Sequence, residues 1–201
     1  MKVSAVLLAG GKGSRMNYQN KALLSFKGKN FLEILISELE DTADEILISQ
    51  QEHKAEGAEG FSSVPDNYPY CGPLSGIEAG LSCCKNEILI VAACDMPMLK
   101  KELFIILLQY IEHYDAVIPI VNGKPEPLAA VYQKKIRKKV RIQLQQGIFC
   151  VKNLLDQLNT RYIDVKEYGF GTEAFKNINT VEDYQTFLNE QGVKNGEIII
   201  K

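Results

Sequence analysis

With 201 residues and 46% hydrophobic content, the chain is long enough to bury one substantial core, and a single domain over residues 1–201 is the expectation. A net charge of −2 excludes a global positive field that would draw it to nucleic acid or to an anionic membrane, so any polyanion site must be local. The five cysteines include no C-x-x-C pair, which argues against a disulfide framework or a zinc site and for small buried thiols in a reducing, cytoplasmic setting.

In chain order, the opening run KVSAVLLAG reads as a buried strand, too short to span a bilayer. It breaks into LAGGKGSRM, residues 8–16. After GKN a helix is predicted, with Asn30 as N-cap, Glu33 completing a capping box, and Leu32, Leu35, Ile36 and Leu39 on one face. EILISQ is a second strand. VPDNYPYCGPLSGIEAGL sets Asp66 after a short apolar run and opens a helix at a Gly-Pro turn, with Ser75 and Gly76 in its first turns. EILIVAACDMPML is a third strand, ending at Asp95 and stopped by Pro97.

KKELFIILLQYIEHY carries Leu103, Ile106, Leu107, Tyr110 and Ile111 at helical spacing. DAVIPIV and RYIDV are further strands, and NGKPEPLAAVY leads into another apolar one. Between them KKIRKKVRIQLQQG reads as a helix whose basic stretch, Lys134 to Arg141, is a solvated face. NTVEDYQTFLNEQG begins with a capping box from Thr180 to Asp183 and stops near Gly192. The last residues, VKNGEIIIK, fit an added strand or a tail equally well. Strands alternating with helical segments predict an α/β layered fold.

A buried parallel strand ending in a glycine-rich turn delivers that turn to the carboxyl edge of the sheet, where open α/β folds bind ligands. Gly10, Gly11 and Gly13 allow close backbone approach, and Lys12, Arg15 and Lys21 supply positive charge, so phosphate is the natural guest. A tight βα turn with surface lysines is the competing reading. The loop lacks the Gly-Lys-Ser/Thr ending of a Walker A motif, and Met16 stands where a dinucleotide fingerprint needs its last glycine. By residue type alone, Asp95 is a hard oxygen ligand suited to magnesium or a helix cap. Asp66 is a ligand contact or a local cap. Asn177 and Asn179 share one side of an extended stretch, as donors and acceptors or as turn residues. His53 and His113 read as surface groups.

LAGGKGSRM followed by the lysine of NKALLSFKGK resembles the signature loop of nucleotidyltransferases of the nucleotide-diphospho-sugar transferase type. It is most similar to that of the molybdenum cofactor guanylyltransferases. The likeness runs over roughly residues 3–190, through the aspartate before GPLSG, CDMP and NINT in order. It implies a three-layer α/β/α sandwich with a mostly parallel central sheet. It further implies transfer of GMP from GTP to molybdopterin with magnesium and release of pyrophosphate. Carried over, Arg15, Lys21 and Asp95 are catalytic. Leu8, Ala9, Gly10, Gly11, Lys21, Ser49, Asp66 and Asp95 hold the nucleotide, Gly76, Asn177 and Asn179 the acceptor, and Asp95 the metal. Whether Glu126 touches substrate stays open.

Related cytidylyltransferases carry Leu-Ala-Ala-Gly at the loop, so Gly10 favours guanine. The departures are Asn20, where relatives place an aspartate, Val181, where they place a proline, and Ser49, where some use asparagine. The alternatives are a nucleotidyltransferase for CTP or a sugar phosphate, and a GTP-binding regulator without turnover. Nucleic acid and membrane are not expected as partners; transient contact with other molybdenum cofactor proteins is.

Overall fold

The computed structural model describes residues 1–10, 21–50 and 60–193. Arg15 and Gly11 of the glycine loop, His53 and the 194–201 tail lie outside the described residues, as does the Lys21 side chain. Among the described residues, ten strands and six α-helices follow in chain order. They are β1 Val3–Leu8, β2 Ser25–Phe26, β3 Lys29–Asn30, α1 Phe31–Leu39, β4 Glu45–Gln50, β5 Ser62–Pro65, α2 Pro73–Cys83 and β6 Ile88–Ala93. Then come α3 Lys101–Leu108, β7 Ala116–Val121, β8 Lys124–Pro125, β9 Ala129–Gln133, α4 Arg137–Gln145, α5 Val151–Leu155, β10 Thr160–Asp164 and α6 Val181–Glu190.

The main sheet runs in the order β10-β7-β9-β6-β1-β4-β5, with β8 hairpinned onto β7. Pairings β1–β4, β1–β6, β4–β5 and β7–β10 are parallel, while β9 lies antiparallel between β6 and β7. Because side chains alternate across a strand, β1 sends Val3, Ala5 and Leu7 to one face and Val6 to the other. The first face is covered by α1 and α3 through Leu32, Leu35, Leu103, Phe104 and Leu107. The second is covered by α2, α4 and α5 through Leu74, Ile77, Val140, Leu144 and Leu154. The result is the three-layer α/β/α sandwich, and no described helix is long and apolar enough to cross a membrane.

Local signals account for most helix starts. Asn30 accepts the Glu33 N–H at 2.8 Å while the Glu33 carboxylate accepts the Asn30 N–H at 2.7 Å, closing the capping box of α1. Thr180 and Asp183 do the same for α6. A third core, Leu24, Phe26, Phe31, Ile178, Tyr184, Phe187 and Leu188, ties α6 to the β2–β3 hairpin. In it the Phe26 and Phe187 rings stand 4.9 Å apart and the Tyr184 hydroxyl donates to the Ser25 carbonyl.

Three expectations need correcting. The segment from Lys100 does not form one long helix: α3 stops at Leu108, and a separate 3₁₀ turn spans Ile111–His113. The basic stretch is not merely solvated. Lys135 and Lys139 pair with Asp115, Arg141 with Glu78, and the Lys134 ammonium donates to the Cys84 carbonyl. Of the cysteines, Cys84 and Cys94 are buried but Cys83 and Cys150 are exposed.

Close packing between α2 and the sheet is set by glycine. A Cβ built on Gly80 would lie 2.8 Å from Val6 Cγ1 and 3.1 Å from Leu89 Cδ2, inside van der Waals contact with two strand residues. Gly80→Ala is expected to destabilise the fold by about 1–3 kcal/mol through overpacking. Urea unfolding should show a lower midpoint at unchanged slope; an unchanged midpoint would mean that α2 shifts outward freely.

Candidate active site

The carboxyl ends of β1, β4, β5 and β6 finish almost level. Leu8 pairs with Ser49 on one side and with Ala93 on the other, and Ser49 pairs in turn with Val64. Backbone pairing continues past the strand ends, since the Ala9 N–H donates to the Ser49 carbonyl at 2.9 Å and the Cys94 N–H to the Leu8 carbonyl at 3.1 Å. Gly10, exposed, is the last described residue before the loop, and Asp95 is the second residue beyond β6. Leu8, Ala9, Gly10, Ser49, Asp66 and Asp95 therefore share one edge of the sheet. Lys21 opens a 3₁₀ turn, Lys21–Leu23, ahead of β2.

Asp66 follows β5 and is half-buried. Its Oδ1 accepts the Ser49 hydroxyl at 2.7 Å, so the two sequence-predicted residues form one unit across adjacent strands. Burial pushes the Asp66 carboxyl above its ordinary value, the Ser49 and Ser75 hydroxyls oppose this, and the negative charge of Glu78 adds to it. Gly76 packs beneath the same pair: a Cβ there would meet Ser49 Oγ at 2.7 Å and Leu8 Cδ2 at 2.8 Å. The structure thus puts Gly76 under Leu8 and Ser49, where only a hydrogen fits.

Asn177 and Asn179 arrive from the far end of the chain. Ile178 between them is fully buried in the third core, and its N–H donates to the Asp95 carbonyl at 2.8 Å. Alternation along this extended stretch directs the neighbouring asparagines away from that core, and both are half-buried. The Asn179 N–H donates to Asp183 of the α6 capping box at 2.9 Å. Val181 takes the first helical position, where a proline is also tolerated, so this departure leaves the cap intact.

One feature escaped the sequence reading and a second was left open by it. The first is Glu78, wholly buried on α2. It accepts from Ser82 at 2.6 Å, from Arg141 Nε at 2.5 Å and from Asn67, the residue after Asp66, at 2.8 Å. Burial alone pushes the Glu78 carboxyl up, but these hydrogen bonds and the Arg141 charge together hold it below its ordinary value. The only sequence signal was a glutamate at i to Ser82 at i+4 on α2; its partners Asn67 and Arg141 are distant along the chain. The second is Glu126, half-buried just before β9. Burial pushes its carboxyl up, the Leu128 N–H opposes this, and the charge of Asp95 adds to the rise, so the two acids are neighbours.

Because the Glu78 carboxyl is lowered in the folded chain, its ionised form stabilises above the ordinary glutamate value of about 4.3, and that stability is lost as pH falls through the lowered value. Glu78→Gln is expected to cost about 1–3 kcal/mol near neutrality, reduced by the partial exposure of Arg141. The gap from the parent chain should narrow as pH falls below the ordinary glutamate value of about 4.3 in urea melts; a gap constant with pH would mean that the charge contributes nothing.

Against known proteins, residues 5–161 match the family model described as MobA-like NTP transferase domain. A Clostridium perfringens relative named a probable molybdenum cofactor guanylyltransferase is 36% identical over 200 residues, covering 96% of this chain and 100% of its own. A Bacillus cereus relative of the same name is 33% identical over 189 residues, covering 91% of this chain and 94% of its own. Among solved structures, molybdopterin-guanine dinucleotide biosynthesis protein A from Archaeoglobus fulgidus superposes with a TM-score of 0.80 at 24% identity, covering 94% of this chain and 98% of that one. The 2-C-methyl-D-erythritol 4-phosphate cytidylyltransferase from Thermus thermophilus reaches 0.71 at 16% identity, covering 96% and 100%, and shares the fold. A nucleotide-transferase sheet edge, a family match over most of the chain and relatives similar along nearly their whole lengths lead to one conclusion: this chain belongs to the MobA-like NTP transferase domain family, among the molybdenum cofactor guanylyltransferases.

Proposed function

We propose that this chain transfers GMP from GTP to molybdopterin and releases pyrophosphate. The observation that carries the proposal is the level edge formed by Leu8, Ser49 with Asp66, and Asp95, which gathers backbone groups, a hydroxyl and carboxylates along one side of the sheet. The terminal phosphate of molybdopterin attacks the α-phosphorus of GTP in line. A new P–O bond forms, the bond from that phosphorus to the bridging oxygen breaks, and pyrophosphate carries the electron pair away. A phosphate monoester is an adequate nucleophile, so the chain's task is positioning and charge neutralisation.

In this reading the backbone from Leu8 to Gly11, with Ser49 and Asp66, holds base and ribose. Arg15 and Lys21 hold the phosphates and Asn177 and Asn179 serve the acceptor; Gly76, expected there too, is instead buried under Leu8 and Ser49 and lets α2 approach the nucleotide side. Magnesium fits the donor set: Asp95 is a hard oxygen ligand at the sheet edge, and this ion commonly takes one or two carboxylates and completes its shell with water and phosphate. When bound, it would neutralise charge developing on the leaving pyrophosphate. We place the reaction in the cytoplasm, in keeping with free thiols at Cys71, Cys83, Cys84, Cys94 and Cys150. Transient contact with other molybdenum cofactor proteins belongs to the same reading.

Pyrophosphate release measured with GTP and with CTP, each with and without molybdopterin, tests it. Release only with GTP plus molybdopterin supports the guanylyl reaction. Equal or faster release with CTP points to a cytidylyltransferase, and GTP binding without release to a regulator. Asp95→Asn should lower kcat by about a hundredfold or more at ordinary magnesium, as loss of a group that stabilises developing charge does. Turnover within twofold of the parent would remove Asp95 from the metal.

A further inference from the structure

Asp95 divides the site edge. On one side lie β1, β4 and β5, with Leu8, Ser49 and Asp66; on the other lie β9 and β7. The antiparallel ladder of β6 and β9 ends at Ala92↔Ala129 with one further bond from the Ala93 N–H to the Leu128 carbonyl, both chains then turn, and Glu126 lies near enough to Asp95 to feel its charge. Glu126 is held from several directions. Its N–H donates to the Pro119 carbonyl at 2.9 Å, its own Oε1 accepts the Leu128 N–H at 3.2 Å, and the buried Tyr132 hydroxyl fixes the Pro127 carbonyl at 2.8 Å. The Asn122–Gly123 turn, with φ of +48° and +75°, closes the β7–β8 hairpin that delivers this segment.

Glu126 is a fixed, half-buried carboxylate whose hydrogen bond is to a neutral backbone N–H, so it keeps acceptor capacity for a donor-bearing ligand. The nucleotide half of the edge is already defined by Ser49 and Asp66, across Asp95 from Glu126. The Asn177–Asn179 segment meets Asp95 itself, through the Ile178 N–H, and Glu126 neighbours the same aspartate from the β9 side. The pterin of the acceptor presents a ring N–H beside an exocyclic amino group, two parallel donors that match the two oxygens of a carboxylate.

Resting on the function proposed above, we infer that Glu126 is a specificity residue for the acceptor, receiving the amino-pyrimidinone edge of the pterin. Guanine carries the same pair of donors, so the side of the site on which Glu126 acts is what the experiment must read.

Molybdopterin binding to the full chain, followed by quenching of pterin fluorescence, and GTP binding are measured separately for the parent, Glu126→Gln and Glu126→Asp. Glu126→Gln should weaken molybdopterin binding by about tenfold or more, the loss that goes with a charge-assisted pair, and leave GTP affinity within about twofold. Retained GTP affinity also shows that the variant folds, and Glu126→Asp should keep part of the pterin affinity. Without any substitution, the parent should prefer 6-hydroxymethylpterin over 6-hydroxymethyllumazine, in which an oxo group replaces the amino donor, as competitor against molybdopterin. Glu126→Gln should lose that preference.

Unchanged molybdopterin binding, or weakening confined to GTP, overturns the inference, as does equal competition by the two pteridines in the parent. Failure of the proposed reaction is read separately: a parent chain that binds molybdopterin through Glu126 but releases no pyrophosphate keeps this inference and loses the other.

Discussion

Everything at the site depends on the levelling of three parallel strands. β1 is flanked by β4 and β6 with Leu8 in register with both Ser49 and Ala93, so one peptide plane after each strand the chain is free to turn toward ligand on a common edge. The bonds from Ala9 to Ser49 and from Cys94 to Leu8 carry the ladder one step further and fix the start of each turn. A slip by one residue would invert every side chain on β1 and exchange the contents of the two cores, which is why this register is strongly specified. The glycines of α2 reinforce it. Gly76 sits against Leu8 and Ser49, Gly80 against Val6, and each admits the helix close enough to lock one end of the strand.

Much of this was legible in the sequence because it is local. β-branched runs marked β1, β4, β6, β7 and β10, and the capping boxes at Asn30 and Thr180 marked α1 and α6. The edge positions of Leu8, Ala9, Ser49, Asp66 and Asp95 follow from strand ends, a property that periodicity records. What periodicity does not record is pairing across the chain. Nothing in AAVYQ says that β9 enters antiparallel between β6 and β7, and that insertion is what brings Glu126 to Asp95. Five-residue α5 is likewise a product of tertiary packing, with Val151, Leu154 and Leu155 docked on the second core.

The basic helix shows the limit of composition in another way. Lys134 and Lys135 in the 3₁₀ turn Lys134–Ile136, and Lys139 and Arg141 on α4, look solvated from their polar sequence, yet each finds an internal partner. Three of them close the structure around β7 and the α2 end, where Asp115 and the Cys84 carbonyl sit. The fourth, Arg141, reaches Glu78 and through it Asn67, so a helix remote in sequence steadies the loop that carries Asp66. Such contacts are weak singly when exposed, but one with a fully buried carboxylate is costly to break.

Charge then constrains the chemistry of the edge. Asp66, Asp95 and Glu126 stand along it. The assigned partners of Asp66 and Glu126 are the Ser49 hydroxyl and the Leu128 N–H, neutral donors that leave the negative charge in place. A triphosphate brought to three carboxylates is repelled unless cations accompany it. In the proposed reaction the chain's own cations would be Lys12, Arg15 and Lys21, which follow β1 in the sequence. The rest falls to the divalent ion proposed at Asp95. Nucleotide entry at this edge would thus, in the proposed reaction, be coupled to cation binding, because carboxylates oppose a phosphate that arrives without its metal.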